Sequence, residues 1–368
     1  MKLRWNPVKV LFTCIYLLVG LGIVMTYSTS AVYADYLYQN PQHFLVRQIL
    51  YALLGSGLMF VTAAVPLQFW KRHALALMLF SIGFLFLVFI PHIGHTAGGA
   101  KRWINLGMIK FQPAEFAKIA VCIYLADYLT RKRKMIYEGS LKVFFPPLVL
   151  VGITCVLTLL QPDLGSTAFI FLIVASLIFL AGLRMWYVGV AASVVIPIFY
   201  MLVVRVPYRL SRLSAYLNPW NDPQGNGFQI IQSFLAFGLG SLKGVGLGQS
   251  MQKLFYLPSS YNDFIFSIIA EELGIVGVLA VMALYVTIFL SGLELAKKAS
   301  DSFQRLLIIA LTLMIVLQAI IHMLVTTGLV PTKGLPLPFV SFGGTSLLFN
   351  FMALGLIMSA EKHLHRSR

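Results

Sequence analysis

The sequence predicts an all-α integral membrane protein of about ten transmembrane helices, with one large external loop between the seventh and the eighth. Three observations carry this. Of 368 residues, 59% are hydrophobic and 11% charged, far from the balance of a water-soluble domain. Apolar runs of about 17–30 residues recur along the chain, and about 20 suffice to cross a hydrocarbon core of about 30 Å. Basic residues gather at alternate ends of those runs. So many spans leave room for a single polytopic domain, residues 1–368, which contains the external loop 205–262.

The first run, 10–27, is followed by Val32-Tyr33-Ala34, a sequence that superficially suits signal peptidase. The run is longer than the ~7–15-residue core of a signal peptide and further spans follow, so it is read as an uncleaved first span. Runs at 45–65 and 73–91 come next. The span 113–129 opens at Pro113, which is pre-organised for a first helical turn. Spans 143–160 and 164–182 are separated by a three-residue turn that contains Asp163, a natural cap. The remaining spans are 185–204, 263–292, 304–328 and 343–360. Cys14, Cys122 and Cys155 all lie within apolar runs, which points to free thiols and to neither a disulfide framework nor a metal site.

Orientation follows from Lys2, Arg4 and Lys9 before span one, Lys71 and Arg72 after span two, and Arg131 to Lys134 after span four. Arg184, Lys297, Lys298, Arg305 and the basic C-terminus complete the same side. With an even number of spans, these residues and both termini are expected in the cytoplasm. The opposite side is also basic, with Arg47, Lys101, Arg102, Lys110, Arg205, Arg209, Arg212, Lys243, Lys253 and Lys333 against few acids. Two readings stand: basic side chains meeting anionic headgroups, or a cationic basin for a phosphorylated lipid. The net charge of +16 thus sits at membrane boundaries, and no nucleic-acid partner is expected. Within the loop, Gly227 to Gly240 is apolar but too short to span. It suits a helix lying in the interface or packed re-entrantly on the bundle. The glycine-rich stretch Lys243 to Ser250 reads as a phosphate cradle or, more simply, a turn.

Several polar residues stand out against this background. Asp263 is placed where an apolar helix enters the membrane, and with Asn262 it reads as a helix cap or as a carboxylate kept for chemistry. Glu271 and Glu272 are about 12 Å deeper and point to different sides, which suits buried hydrogen bonding more than a catalytic pair. Glu115 and Lys118 are three apart and so share one helix face. Arg102, beside Lys101 and Trp103, can grip a phosphate or anchor a loop. Ser341 and Ser346 bracket a glycine pair beside the last span. His92 and His95 lack carboxylates at ligand spacing, so a protein-built zinc site is not expected.

The blocks Gly99-Ala-Lys-Arg-Trp-Ile104, Phe111-Gln-Pro-Ala-Glu-Phe-Ala-Lys118, Gln161-Pro-Asp-Leu-Gly165, Tyr216-Leu-Asn-Pro-Trp220, Gly227-Phe-Gln-Ile-Ile-Gln-Ser233, Asn262-Asp-Phe-Ile-Phe266 and Pro331 to Ser346 occur in order. Together they resemble the SEDS (shape, elongation, division, sporulation) family along almost the whole chain. Pro331-Thr-Lys-Gly334 is similar to the division-type branch, whereas Asn262, His322 and Phe342 stand where threonine, asparagine and tyrosine are common. The resemblance implies ten spans with both ends cytoplasmic. It also implies a peptidoglycan glycosyltransferase that polymerises lipid II at the division septum, beside a class B penicillin-binding protein and other division membrane proteins. Asp263 matches the family's catalytic aspartate. Glu115 and Lys118 are implied to line a central cavity facing it.

Glycosyl transfer needs a base for the acceptor hydroxyl and positive charge for the departing pyrophosphate. Asp263 is accordingly the expected base, and Glu115, Lys118, Arg102, Lys243, Lys253, Ser341 and Ser346 are the expected substrate-binding residues. No cofactor is expected to be built by the protein, although a Mg2+ or Mn2+ bridged between pyrophosphate and Asp263 fits the chemistry. Three other readings stay open: an elongation-type polymerase, a lipid II flippase, and a non-enzymatic division scaffold. Outward-leaning charges and halves without visible likeness weigh against the flippase.

Overall fold

The computed structural model describes residues 6–182 apart from 98, 99, 106, 108 and 109, residues 189, 193, 197 and 200, and residues 207–366 apart from 226. Helix α1, Pro7–Tyr38, starts with Asn6 accepting hydrogen bonds from the amides of Val8 and Lys9, and with proline in its first turn. Its 32 residues extend about 48 Å, more than the hydrocarbon core needs, so its last turns carry Tyr33, Tyr36 and Tyr38 beyond it. Helix α2, His43–Ala64, packs along α1 and most closely against the last helix, α13, Gly344–Arg366. Small residues permit that approach: the Phe351 ring occupies the space beside Gly55, and Gly355 abuts Thr62 and the Met59 carbonyl.

After α3 (Leu67–Arg72) and α4 (Ala74–Leu87), the chain forms a small antiparallel sheet. It comprises β1 (Gly94–Ala97), β2 (Ala100–Asn105) and β3 (Lys110–Phe111), with Gly94 opposite Ile104 and Ile104 opposite Phe111. The all-α expectation is corrected here. The only periodic signal is Ala100 and Ile104, both buried on one face, and it is too short to separate from a polar loop.

Helix α5, Pro113–Arg131, is the hub, packed by α4, α7, α8, α12 and α13. Sixteen of its nineteen residues are buried, so it has no lipid-facing stripe despite carrying Glu115, Lys118 and Asp127. A short helix α6 (Arg133–Tyr137) leads to α7 (Phe145–Leu160) and α8 (Leu164–Leu180). The expected span 185–204 falls outside the described residues except at isolated positions. The chain resumes with α9, Pro207–Leu217, and α10, Phe228–Gly240. Helix α10 packs on α11 and α12: Ser233 bonds the Ser267 hydroxyl at 2.6 Å and the Thr326 carbonyl, and Gly240 lies against the Ala270 carbonyl. The re-entrant alternative for this segment agrees with that packing.

Helix α11, Ile265–Lys298, is broken at Gly274, whose φ of 63° and ψ of −163° are not helical. Backbone groups freed by a break cannot be left bare inside a membrane protein. The loop after α10 satisfies them: Val245 and Gly246 donate to the carbonyls of Glu271 and Glu272, and Ile275 donates to the Ser241 carbonyl, at 2.9–3.0 Å. Those amides are therefore unavailable to cradle a phosphate, and the glycine-rich stretch is the structural turn. Helix α12, Ser302–Thr326, connects to α13 through the irregular segment 327–343.

Among the described residues six helical stretches are long and apolar enough to cross a membrane, with shorter apolar helices at Ala74–Leu87, Leu164–Leu180 and Phe228–Gly240. The protein is a mostly helical, multi-pass membrane protein.

Candidate active site

Asp263 lies just outside α11, half-buried, its amide bonded to the Ser259 carbonyl at 3.0 Å. The helix cap position falls on Phe264, one residue later, so Asp263 is not the cap residue. Its carboxylate faces Gly334 in the segment between α12 and α13. A β-carbon on Gly334 would stand 3.6 and 3.8 Å from the two carboxylate oxygens. Gly334 is exposed, so this side of Asp263 opens to the outside of the bundle.

Hydrogen bonds from two helices and one turn fix that segment. The His322 Nδ1 pairs with the Leu335 carbonyl and the Gln318 Nε2 donates to the Pro336 carbonyl, both at 2.8 Å. The Tyr285 hydroxyl donates to the Pro338 carbonyl at 2.5 Å. Ser341 Oγ accepts from the Leu337 amide at 2.8 Å and donates to the Asn262 carbonyl at 2.7 Å, which ties the segment to the residue before Asp263. Beside it, Tyr33, Phe44, Tyr261 and Phe342 form a wall of rings with centroids 4.8–6.2 Å apart. Burial, reinforced by Tyr33, Tyr38 and the Asp263 charge, pushes the Tyr261 phenol up to about 12, so it stays neutral.

The remaining expected residues fall into separate groups. Lys118 and Glu115 are 1% and 4% exposed; the ammonium is 2.8 Å from both Glu115 oxygens and from Gln318 Oε1, and stands over the Phe169 ring. Arg102 donates through Nε to the Gln161 carbonyl at 3.3 Å and through Nη2 to the Pro162 carbonyl, with Asp163 at 3.9 Å. Asp163 also caps α8 through the Ser166 amide and hydroxyl. Lys253 is bound within the protein, 3.1 Å from the buried Glu272, which also accepts from Ser28 at 2.6 and 2.9 Å. Glu271 accepts from the Ser250 hydroxyl and the Met251 amide. Lys243 is exposed in the glycine-rich turn. Ser346, in the first turn of α13, accepts from Asn350 at 3.3 Å.

The structure thus brings Asp263 and Ser341 together and links Glu115 and Lys118 to them through Gln318. Arg102 and Lys253 are engaged elsewhere. Two residues of the segment that faces Asp263 were not singled out as site residues in the sequence. Gly334 shows its role only once the segment is folded back. Lys333 was counted among the outer basic residues, but nothing in its spacing separates it from the others. It is half-buried, and among the described residues its ammonium has no hydrogen-bond or ion-pair partner. Its β-carbon lies 3.6 Å from where one on Gly165 would stand, and burial lowers its pKa from the ordinary lysine value. No three His, Cys, Asp or Glu side chains converge on a metal site among the described residues.

Residues 8–366 match the cell cycle protein family that groups FtsW, RodA and SpoVE. The chain belongs to the FtsW/RodA/SpoVE family. Similar curated proteins carry the name probable peptidoglycan glycosyltransferase FtsW. One from Geobacter sulfurreducens is 42% identical over 343 residues, 93% of this chain and 92% of its own. One from Coxiella burnetii is 40% identical over 359 residues, 97% of this chain and 96% of its own. A solved chain described under the structural coordination of polymerization and crosslinking by a peptidoglycan synthase complex superposes with a TM-score of 0.80. It is 28% identical, and the match covers 99% of both chains. Thermus thermophilus RodA, a rod shape determining protein, shares the fold at a TM-score of 0.71 and 24% identity over 98% of both chains.

Proposed function

We propose that this FtsW/RodA/SpoVE family member is a peptidoglycan glycosyltransferase that polymerises lipid II on the outer face of the cytoplasmic membrane during septal wall synthesis. The observation that carries the reading is Asp263. Its carboxylate lies at the end of a broken membrane helix and faces an exposed glycine, Gly334, whose neighbour in the chain is the unpartnered Lys333. In the reaction the 4-hydroxyl of an acceptor sugar attacks the anomeric carbon of a donor. A new carbon–oxygen bond forms, the bond to the pyrophosphate breaks, and Asp263 takes the hydroxyl proton. Undecaprenyl pyrophosphate leaves with both electrons of the broken bond, and Lys333 supplies positive charge to it.

The finer statements of the sequence reading belong to this proposal: ten spans, both termini cytoplasmic, and loop 205–262 external between spans seven and eight. So does a class B penicillin-binding protein as partner, which the likeness to a chain of a polymerising and crosslinking complex supports. A Mg2+ or Mn2+ fits only with Asp263 as one ligand and pyrophosphate oxygens as the rest, and would add positive charge to the leaving group.

The test is lipid II polymerisation by the purified protein with its transpeptidase partner, comparing native protein with Asp263→Ala. Loss of polymer with normal folding and partner binding is expected. Unchanged polymerisation would remove Asp263 from the role of base. Transfer of lipid II across vesicles without polymer would replace the reading with a flippase, and neither activity would leave the scaffold.

A further inference from the structure

We infer that Gln318 is a positioning residue that couples the buried Glu115–Lys118 pair to Asp263, so that the pair acts on catalysis without touching substrate. The inference rests on the reading of Asp263 as base. Lys118 and Glu115 are closed off from any lipid headgroup at 1% and 4% exposure. The ammonium has three hydrogens, and Glu115, Gln318 and the Phe169 ring account for its surroundings.

Gln318 cannot be turned the other way. Its oxygen accepts from Lys118 and its nitrogen donates to the Pro336 carbonyl, both at 2.8 Å. A flipped amide would set nitrogen against ammonium and oxygen against carbonyl, two repulsive pairings. One turn further on α12, His322 holds the neighbouring Leu335 carbonyl from the same helix face. Two consecutive carbonyls of an irregular segment are therefore suspended from α12, and Pro336 has no amide with which to bond elsewhere.

From that suspension point the chain runs two ways, and both reach the aspartate. Two residues back, Gly334 faces the Asp263 carboxylate, near enough that a β-carbon there would stand 3.6 Å from it. One residue on, the Leu337 amide bonds Ser341, whose hydroxyl bonds the Asn262 carbonyl. Removing Lys118 takes away the partner that fixes the Gln318 amide, and with it the hold on the Pro336 carbonyl. Displacements of about 1 Å in a catalytic geometry cost on the order of 10²-fold in rate.

A double-mutant cycle on initial polymerisation rates tests this, with Lys118→Met, Gln318→Met and the two combined. Each single change should lower kcat about 10–100-fold while KM for lipid II stays within about twofold, because no substrate contact is lost. The double variant should be no slower than the worse single one, since both cut the same chain of bonds. Gln318→Glu keeps the acceptor for Lys118 but cannot donate to Pro336, so it should be as slow as Gln318→Met. It also decides the matter alone if the lysine variant fails to fold. Losses that multiply, a loss expressed in KM, or near-native turnover of Gln318→Glu would each overturn the inference. A native protein that makes no polymer overturns the polymerase reading and this inference with it. An Asp263→Asn variant as fast as native removes Asp263 as the base and this inference with it. A multiplicative cycle on an active enzyme overturns the inference alone.

Discussion

Lys253→Met is the sharpest single test of how the outer loop is held. The Lys253 ammonium is 3.1 Å from Glu272, with side chains 9% and 0% exposed, and the same carboxylate accepts from Ser28. Removing one partner of a buried pair costs about 3–5 kcal/mol because the other charge is left uncompensated. The loss is local, since the pair clamps residues 241–257 onto the break at Gly274. At about 1.4 kcal/mol per decade, that cost opens the clamp roughly 10²- to 10⁴-fold more often. The reporters are the amides of Val245, Gly246 and Ile275, which bond across the break. Hydrogen exchange followed by mass spectrometry in detergent should show them exchanging faster by that factor, while amides in α5 do not change. The double variant Lys253→Met with Glu272→Leu removes both charges and should recover most of the protection. Unchanged exchange together with a raised KM for lipid II would refute the clamp and return Lys253 to substrate binding.

Other expectations follow from the same geometry. Arg102→Lys should lower the thermal midpoint, because a lysine cannot reach the Gln161 and Pro162 carbonyls as a fork, and Arg102→Gln should lower it further; equal midpoints with slower turnover would instead place Arg102 on substrate. Gly334→Ala puts a β-carbon at ordinary contact from Asp263 and should keep turnover within about threefold, whereas Gly334→Val should cost on the order of 10²-fold, read as initial rate. Lys333 is depressed in the folded protein, so the native state binds fewer protons than the unfolded one between its lowered pKa and the ordinary 10.5. The penalty is full below that window and is relieved as pH rises through it. If its ammonium serves the leaving group, the alkaline limb of kcat should fall below 10.5 and move upward in Lys333→Arg.

The spans were legible because bilayer thickness writes a long apolar run that no other constraint imitates. Helices at 7–38, 43–64, 145–160, 302–326 and 344–366 follow the predicted runs to within a few residues, apart from the overhanging ends of α1 and α13. Local pattern failed where the physics is long-range. The sheet at 94–111 depends on pairing between strands of two to six residues. The break at Gly274 depends on a loop about thirty residues earlier in the chain. Glu271 and Glu272 were read as buried hydrogen-bonding groups, and their partners Ser250, Met251, Ser28 and Lys253 agree with that. Asp263 and Ser341 were both legible as candidates, but their shared segment was not, because the bonds that place it come from Gln318, His322 and Tyr285. Each of those reads in sequence as one polar residue in an apolar helix.

The internal pairings also change what the basic outer face can do. Arg102 faces Asp163, Lys118 faces Glu115, and Lys253 faces Glu272, so each of three expected substrate cations has a carboxylate of its own. Such pairs contribute little field at a distance, since opposite charges a few ångströms apart largely cancel. An anion arriving at Asp263 therefore meets the charges left unpaired. Lys243 is exposed beside the broken helix. Lys333, with its ammonium unpartnered and its backbone next to Gly334, is partly desolvated, and its β-carbon lies near Gly165. Positive charge is worth more where water is excluded, so under the proposed reaction a pyrophosphate leaving at Asp263 should be stabilised more by a partly desolvated Lys333 that reaches it than by lysines in open solvent.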